Sequence, residues 1–175
     1  MYRSWSSRTG LLYGLVAACA LCVPAWSAAQ TKVTDQQEIE ALVMEYTRLE
    51  DSGDMQTQSK MIAPDRWWHG GGGRRTDNAL WMKVQGTNFA NFQKRYPGVT
   101  VAREVRDLKI RMVAPTVAIA SFTWVSNRSI PPDLPAEKVQ ALGPPPIPLV
   151  ISLVWVKQAD GWKIVSSHNS PEYVR

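Results

Sequence analysis

The sequence predicts an α+β fold in which three N-terminal helices pack on one side of an antiparallel sheet. Two observations within the chain carry this. Apolar residues recur at helical spacing from Ile39 to Leu49 and again from Trp81 to Tyr96. From Val99 onward the period falls to two, and turn signals at Ala114-Pro115 and Asp160-Gly161 divide that pattern into successive strands. Helices first and a strand meander afterwards place the helices on one face of the sheet.

Residues 1–29 are read as a targeting segment and set aside before the fold is considered. Arg3 and Arg8 give a positive start, and residues 11–23 form a continuous run of 13 apolar or small residues. Pro24 breaks the run, and Ser27-Ala28-Ala29 precede an expected cut at Gln30. A bilayer-spanning helix needs about 20 apolar residues, so the run is short for an anchor. Val16-Ala17-Ala18-Cys19 also resembles a bacterial lipobox, in which Cys19 would carry a lipid; the run stays apolar through Val23, which favours ordinary cleavage. The expected location is therefore periplasmic or secreted, with no membrane contact unless Cys19 is lipidated.

The remainder, residues 30–175, has the length of one domain and can bury about 70% of its unfolded surface without covalent staples. Cys19 and Cys22 both lie in the targeting segment, so the domain has no cysteine to oxidise. It keeps 18 Lys and Arg against 15 Asp and Glu, a net charge of +3. These basic residues are dispersed, which argues against a nucleic-acid partner.

The elements follow in order. Thr34 to Gln37 reads as a capping box, with the helix behind it running to Gly53. Asp54 caps a second short helix to about Ile62, closed by Pro64. Residues 66–69 read as a short strand, and residues 70–73, all glycine, as a loop. A third helix is expected over 76–96, capped by Thr76 or Asp77 and ended by Pro97-Gly98. Val99, Val101, Arg103 and Val105 share one strand face; Leu108, Ile110 and Met112 form the next set, so a bulge is expected near Arg106-Asp107. Residues 116–127 are apolar on both faces, as a central strand would be. Residues 128–148 hold seven of the 12 prolines and read as a long loop insertion with a helical turn at 136–142. Residues 149–158 and 162–168 form the closing hairpin.

Several of these landmarks carry a family resemblance. Glu38-Ile39-Glu40-Ala41-Leu42 with Tyr46 and Ser52-Gly53-Asp54 resembles the first helix and turn of the SnoaL-like branch of the nuclear transport factor 2 (NTF2-like) superfamily. Ala63-Pro64-Asp65 and the ending Asp160-Gly161-Trp162-Lys163-Ile164-Val165-Ser166-Ser167-His168-Asn169-Ser170 are similar to its later landmarks. The resemblance implies a cone: a curved sheet wrapped around a helix, with a cavity inside. It also implies a homodimer through the outer sheet face. Family members include isomerases, cyclases, hydrolases and non-enzymes, so the resemblance alone gives no reaction.

Candidate site residues follow from position and chemistry. Tyr46 sits seven residues before Gly53, similar to the ketosteroid isomerases of the superfamily, whose tyrosine helps hold an oxyanion; the matching base aspartate should fall near Gly70, where glycine stands. A core tyrosine is the ordinary alternative. His168 shares strand parity with Trp162, Ile164 and Ser166 and is expected to face inward, as an acid or base near neutral pH or as a satisfied core residue. His69 follows Trp67-Trp68 and is a candidate to act with it. Arg103, between Val101 and Val105, can bind a carboxylate or enolate if that face lines the cavity, or else snorkel at the rim. Trp68 and Trp124 suit the lining of a site for a flat apolar ligand, or an ordinary core. The glycine run lacks the Lys-Ser/Thr of a phosphate loop. Two histidines and no domain cysteine argue against a structural zinc site, and no cofactor is expected.

The expectation is an exported protein that binds a small, mostly apolar molecule in the cone cavity, with proton transfer by His168 and Tyr46 if it is catalytic. The alternative is a non-catalytic dimerisation or scaffold module of the periplasm, with residues 128–148 as an interface rather than a lid.

Overall fold

The computed structural model describes residues 34–70, 73–75 and 77–172. The targeting segment, with Cys19 and the expected cut at Gln30, lies outside the described residues.

The first helix, α1 (Asp35–Ser52), begins as the capping box requires. The Gln37 N–H donates to Thr34 Oγ1 at 3.2 Å, and the Thr34 N–H donates to Gln37 Oε1 at 2.9 Å. Ile39, Val43, Tyr46 and Leu49 form its buried stripe. Gly53 ends it at φ 72°, and no other residue would fit there, because a Cβ would lie 2.3 Å from the Phe89 ring. Asp54 caps α2 (Met55–Ser59). This helix stops earlier than the sequence suggests: the Ile164 N–H donates to Met61 O at 2.9 Å, so sheet pairing claims the backbone where a further helical turn would lie.

Strand β1 (Ile62–Gly70) pairs with the short β2 (Gly73–Arg75), and Gly70 and Gly73 are register partners. The glycine run is thus half strand: its two ends are paired, and residues 71–72 lie outside the described residues. Gly70 is needed for close approach, since a Cβ there would meet Asn169 Oδ1 at 2.1 Å. Helix α3 (Asn78–Arg95) is capped by Asp77 through a 2.9 Å bond from the Leu80 N–H. Strands β3 (Thr100–Ala114) and β4 (Val117–Ser129) form a long hairpin. Helix α4 (Ala136–Leu142) lies within the proline-rich segment, and β5 (Leu149–Gln158) and β6 (Gly161–Pro171) close the chain. No helix among the described residues is long and apolar enough to cross a membrane.

The six strands form one curved sheet in the order β2-β1-β6-β5-β4-β3. Two expectations need correcting. The sheet is not wholly antiparallel, because β1 and β6 pair in parallel; after β2 the chain crosses through α3 to the far edge before returning, and a long crossover permits this. Nor do three helices form one N-terminal block: the β1–β2 hairpin separates α2 from α3, and α4 is a fourth helix.

Two bulges set which side chains face the core. Asp107 and Leu108 together oppose Phe122, and Asp107 sits at φ 54°, so the inner face passes from Val105 to Leu108 as the sequence predicts. The second was not expected. Ile164 pairs with Trp155 and Ser166 with Val154, which leaves Val165 as an extra residue. Beyond it Ser167, not Ser166, turns inward, and His168 is exposed.

The core lies between α1 and the inner face, where Phe122, Leu153, Trp155 and Ile164 are buried. The proline-rich segment is tied down as a strap. Arg128 Nη1 donates to the carbonyls of Leu142 at 3.4 Å and Gly143 at 3.1 Å, and the Tyr96 hydroxyl donates to Ala141 O at 3.4 Å. These donors satisfy carbonyls that the end of α4 leaves open.

Candidate ligand cavity

A cavity of about 560 Å³ opens between the C-terminal turn of α1, one face of α3, the start of β3, the end of β4 and the strap. Trp81, Phe89 and Phe92 make an aromatic wall on α3, and Gln85, Asn88 and Gln93 interleave amides on the same face. Pro146 of the strap and Leu149 form part of the rim. A shallower crevice of about 420 Å³ lies between the start of α1 and the β3–β4 turn. Its one carboxylate, Asp35, is paired with Lys157.

The polar side of the cavity is built from α1 and β3. The Arg103 backbone N–H donates to Asp51 Oδ2 at 2.8 Å, and its Nη1 donates to Asp51 Oδ1 at 2.5 Å. The guanidinium carbon stands 5.2 Å from the centre of the Trp124 ring. Glu50 lies 4.0 Å from Arg103 and accepts bonds from Gln58 Nε2 at 2.9 Å and Gln85 Nε2 at 3.5 Å. Its side chain keeps 15% exposure and lines the cavity.

Behind this layer is a buried polar group. Tyr46 stacks on Trp124 with centroids 5.8 Å apart, and the Trp124 Nε1–H donates to Thr47 Oγ1 at 2.9 Å. The charged neighbour of Tyr46 is Arg66, a residue only 3% exposed. Burial, reinforced by the Glu50 charge, pushes the Tyr46 hydroxyl up to about 12, and Arg66 opposes this. Burial also holds Arg66 below its ordinary value, against the pull of Tyr46 and Glu50.

The structure sorts the sequence-derived candidates. Arg103 lines the cavity, but its guanidinium is paired with Asp51 rather than open to a ligand carboxylate. Trp124 and Tyr46 lie beneath it as successive packed layers. Trp68 packs on the cavity residue Trp81 at 5.4 Å and so stands one layer behind the wall. His168 does not face inward. The Val165 bulge inverts the parity that the sequence reading extends from Trp162, and His168 stands on the outer face with His69 as its register partner. Glu50, Asp51 and Arg66 were missed. Glu50 was legible: Ile39, Val43, Tyr46 and Glu50 follow one helical stripe. Among the described residues no three His, Cys, Asp or Glu side chains gather as a metal site.

Comparison with solved structures decides the fold. An NTF2-like protein with a cystatin-like fold from Novosphingobium aromaticivorans superposes with a TM-score of 0.61 at 17% identity, over 78% of this chain and 81% of that one. This is the NTF2-like fold. A protein from Catenulispora acidiphila, solved in complex with S-DNPA, matches with a TM-score of 0.56 at 17% identity, over 77% of this chain and 90% of that one. The CamKII hub homology domain of Chlamydomonas reinhardtii matches with a TM-score of 0.58 at 16% identity, over 81% of this chain and all of that one (100%). No family model matches the chain, and no curated protein matches it by sequence. At these identities the likeness gives the NTF2-like architecture and leaves the chemistry to the cavity.

Proposed function

We propose that this chain is an exported, SnoaL-like protein that binds a small, mostly apolar molecule in the cavity between α1, α3 and the strap. The observation that carries the reading is the aromatic wall of Trp81, Phe89 and Phe92 facing the Glu50 carboxylate across about 560 Å³, within the usual volume of small-molecule sites. The ligand's apolar body lies on the wall, and its polar end meets Glu50 and the α3 amides. The isomerase- or cyclase-like proton transfer expected for His168 falls to Glu50, the carboxylate inside the cavity not tied to an arginine by a hydrogen bond. The S-DNPA complex of the Catenulispora protein supports small-molecule binding on this architecture. The export part rests on residues 1–29 alone.

Native mass spectrometry of the chain isolated from its own cells tests the reading. A copurifying small molecule is expected on the parent chain and not on Asn88→Trp, whose indole fills the cavity from an exposed position. Retention of the molecule by the filled variant sinks the proposal.

A second reading, a dimerisation or scaffold module, draws on Ile130, Val139 and Ile147, which the strap leaves exposed, and on the hub domain among the structural neighbours. It predicts a homodimer in sedimentation that Ile147→Asp dissociates.

A further inference from the structure

The chain has two histidines, 99 positions apart, and the fold makes them neighbours. In the parallel pairing of β1 with β6, Trp68 lies opposite Ser167 and His69 opposite His168. Ser167 is buried and Trp68 packs on Trp81, so that pair takes the inner face. His69 and His168 therefore stand together on the outer face, about 4.8 Å apart along the strand-to-strand direction. Among the described residues, neither imidazole has a hydrogen bond or an ion pair. The Trp67 ring lies 6.4 Å from the His69 ring. Arg74, opposite His69 on β2, is drawn over Trp67, with its guanidinium carbon 5.7 Å from the ring centre.

An exposed histidine on a strand needs no function. Two in register, each with both ring nitrogens unengaged, are a different object. Imidazole is the preferred nitrogen ligand of copper, zinc and nickel ions, at about 2.0–2.1 Å for zinc. Rings rooted on adjacent strands and pointing the same way can bring one nitrogen each to a common ion. We propose that His69, half-buried, and His168, exposed, form a two-imidazole site for a divalent transition-metal ion, with water in the remaining positions. It is separate from the cavity, which opens on the inner face. The nearby charge of Arg74 opposes a cation, but it is exposed and screened by salt.

The test uses Cu²⁺ with the untagged full chain carrying Cys19→Ser and Cys22→Ser, so that thiols do not compete. One saturable Cu²⁺ per chain is expected, with electron paramagnetic resonance showing nitrogen couplings from two imidazoles. Because the second ligand binds intramolecularly, His69→Ala and His168→Ala should each weaken binding on the order of 100-fold. Both should leave the unfolding transition of the metal-free chain in place. No saturable binding, undiminished binding in either variant, or one ion shared between two chains overturns the proposal.

Discussion

Tyr46 and Arg66 are electrostatic neighbours inside the domain, one from α1 and the other from β1, with Tyr46 7% and Arg66 3% exposed. The cation holds a neutral phenol, and Glu50, one helical turn beyond Tyr46, supplies the nearest negative charge to both. The interior is therefore electrostatically set around Tyr46 staying protonated.

This gives a pH prediction. The Tyr46 hydroxyl is raised from an ordinary value near 10 to about 12 in the folded state. The folded chain then holds a proton that the unfolded chain releases, so stability falls as pH rises. The contribution is fully present below pH 10 and is lost progressively towards pH 12. Two units correspond to roughly 2–3 kcal/mol. Urea unfolding across that window should show the loss, and Tyr46→Phe should flatten it.

Glu50→Gln separates binding from proton transfer. The amide keeps the shape of the site and an acceptor oxygen for Gln58, giving up the longer bond from Gln85, so a bound molecule should remain in native mass spectra. Exchange of a proton beside a carbonyl of that molecule, followed by deuterium uptake, should slow by about 10²–10⁴. Uptake at the parent rate removes Glu50 from the chemistry. The substitution also takes an anion from beside Arg66, which should destabilise the fold by about 1–2 kcal/mol.

Gly53→Ala should be among the more damaging conservative changes outside the core. It puts a side chain at φ 72° and a methyl carbon 2.3 Å from the Phe89 ring. Strain and overpacking together should cost about 2–4 kcal/mol. Phe89→Leu in the same chain should recover part of that, and a double-mutant cycle by thermal unfolding would measure the coupling.

Arg128→Ala should loosen the strap while leaving the sheet intact. It removes the bonds to the Leu142, Gly143 and Pro144 carbonyls. Limited proteolysis should cut residues 130–148 several-fold faster, with global unfolding shifted by less than about 2 kcal/mol.

What could be read in advance followed local physics. The cap at Thr34, the stop at Gly53, the bulge near Asp107 and the short helix in the proline-rich segment each carry their cause within a few residues. The misses have nonlocal causes. Helix α2 yields Met61 to a bond from Ile164, about a hundred residues away. The parallel pairing of β1 leaves no trace in its own composition. Val165 looks like any strand residue, yet as a bulge it reverses the facing of everything after it, and with that goes the inward reading of His168. For Arg103 the sequence left cavity and rim both open, because its partner Asp51 stands on α1, 52 positions earlier, and no periodicity in β3 announces it.

The tether between Arg128 and the strap bears on which molecules the cavity can admit. Arg128 and Arg103 are the two cations on its wall, and both guanidiniums are already engaged, one by backbone carbonyls and the other by Asp51. The carbonyls hold Arg128 without cancelling its charge, and Glu50 stands 4.0 Å from Arg103. The charged residues of the wall, Arg103 and Arg128 against Glu50 and Asp51, sum to zero, which suits a neutral ketone or alcohol better than a molecule with a net charge. The balance of two arginines against two carboxylates thus acts as a filter on ligand charge, favouring neutral molecules before shape is consulted.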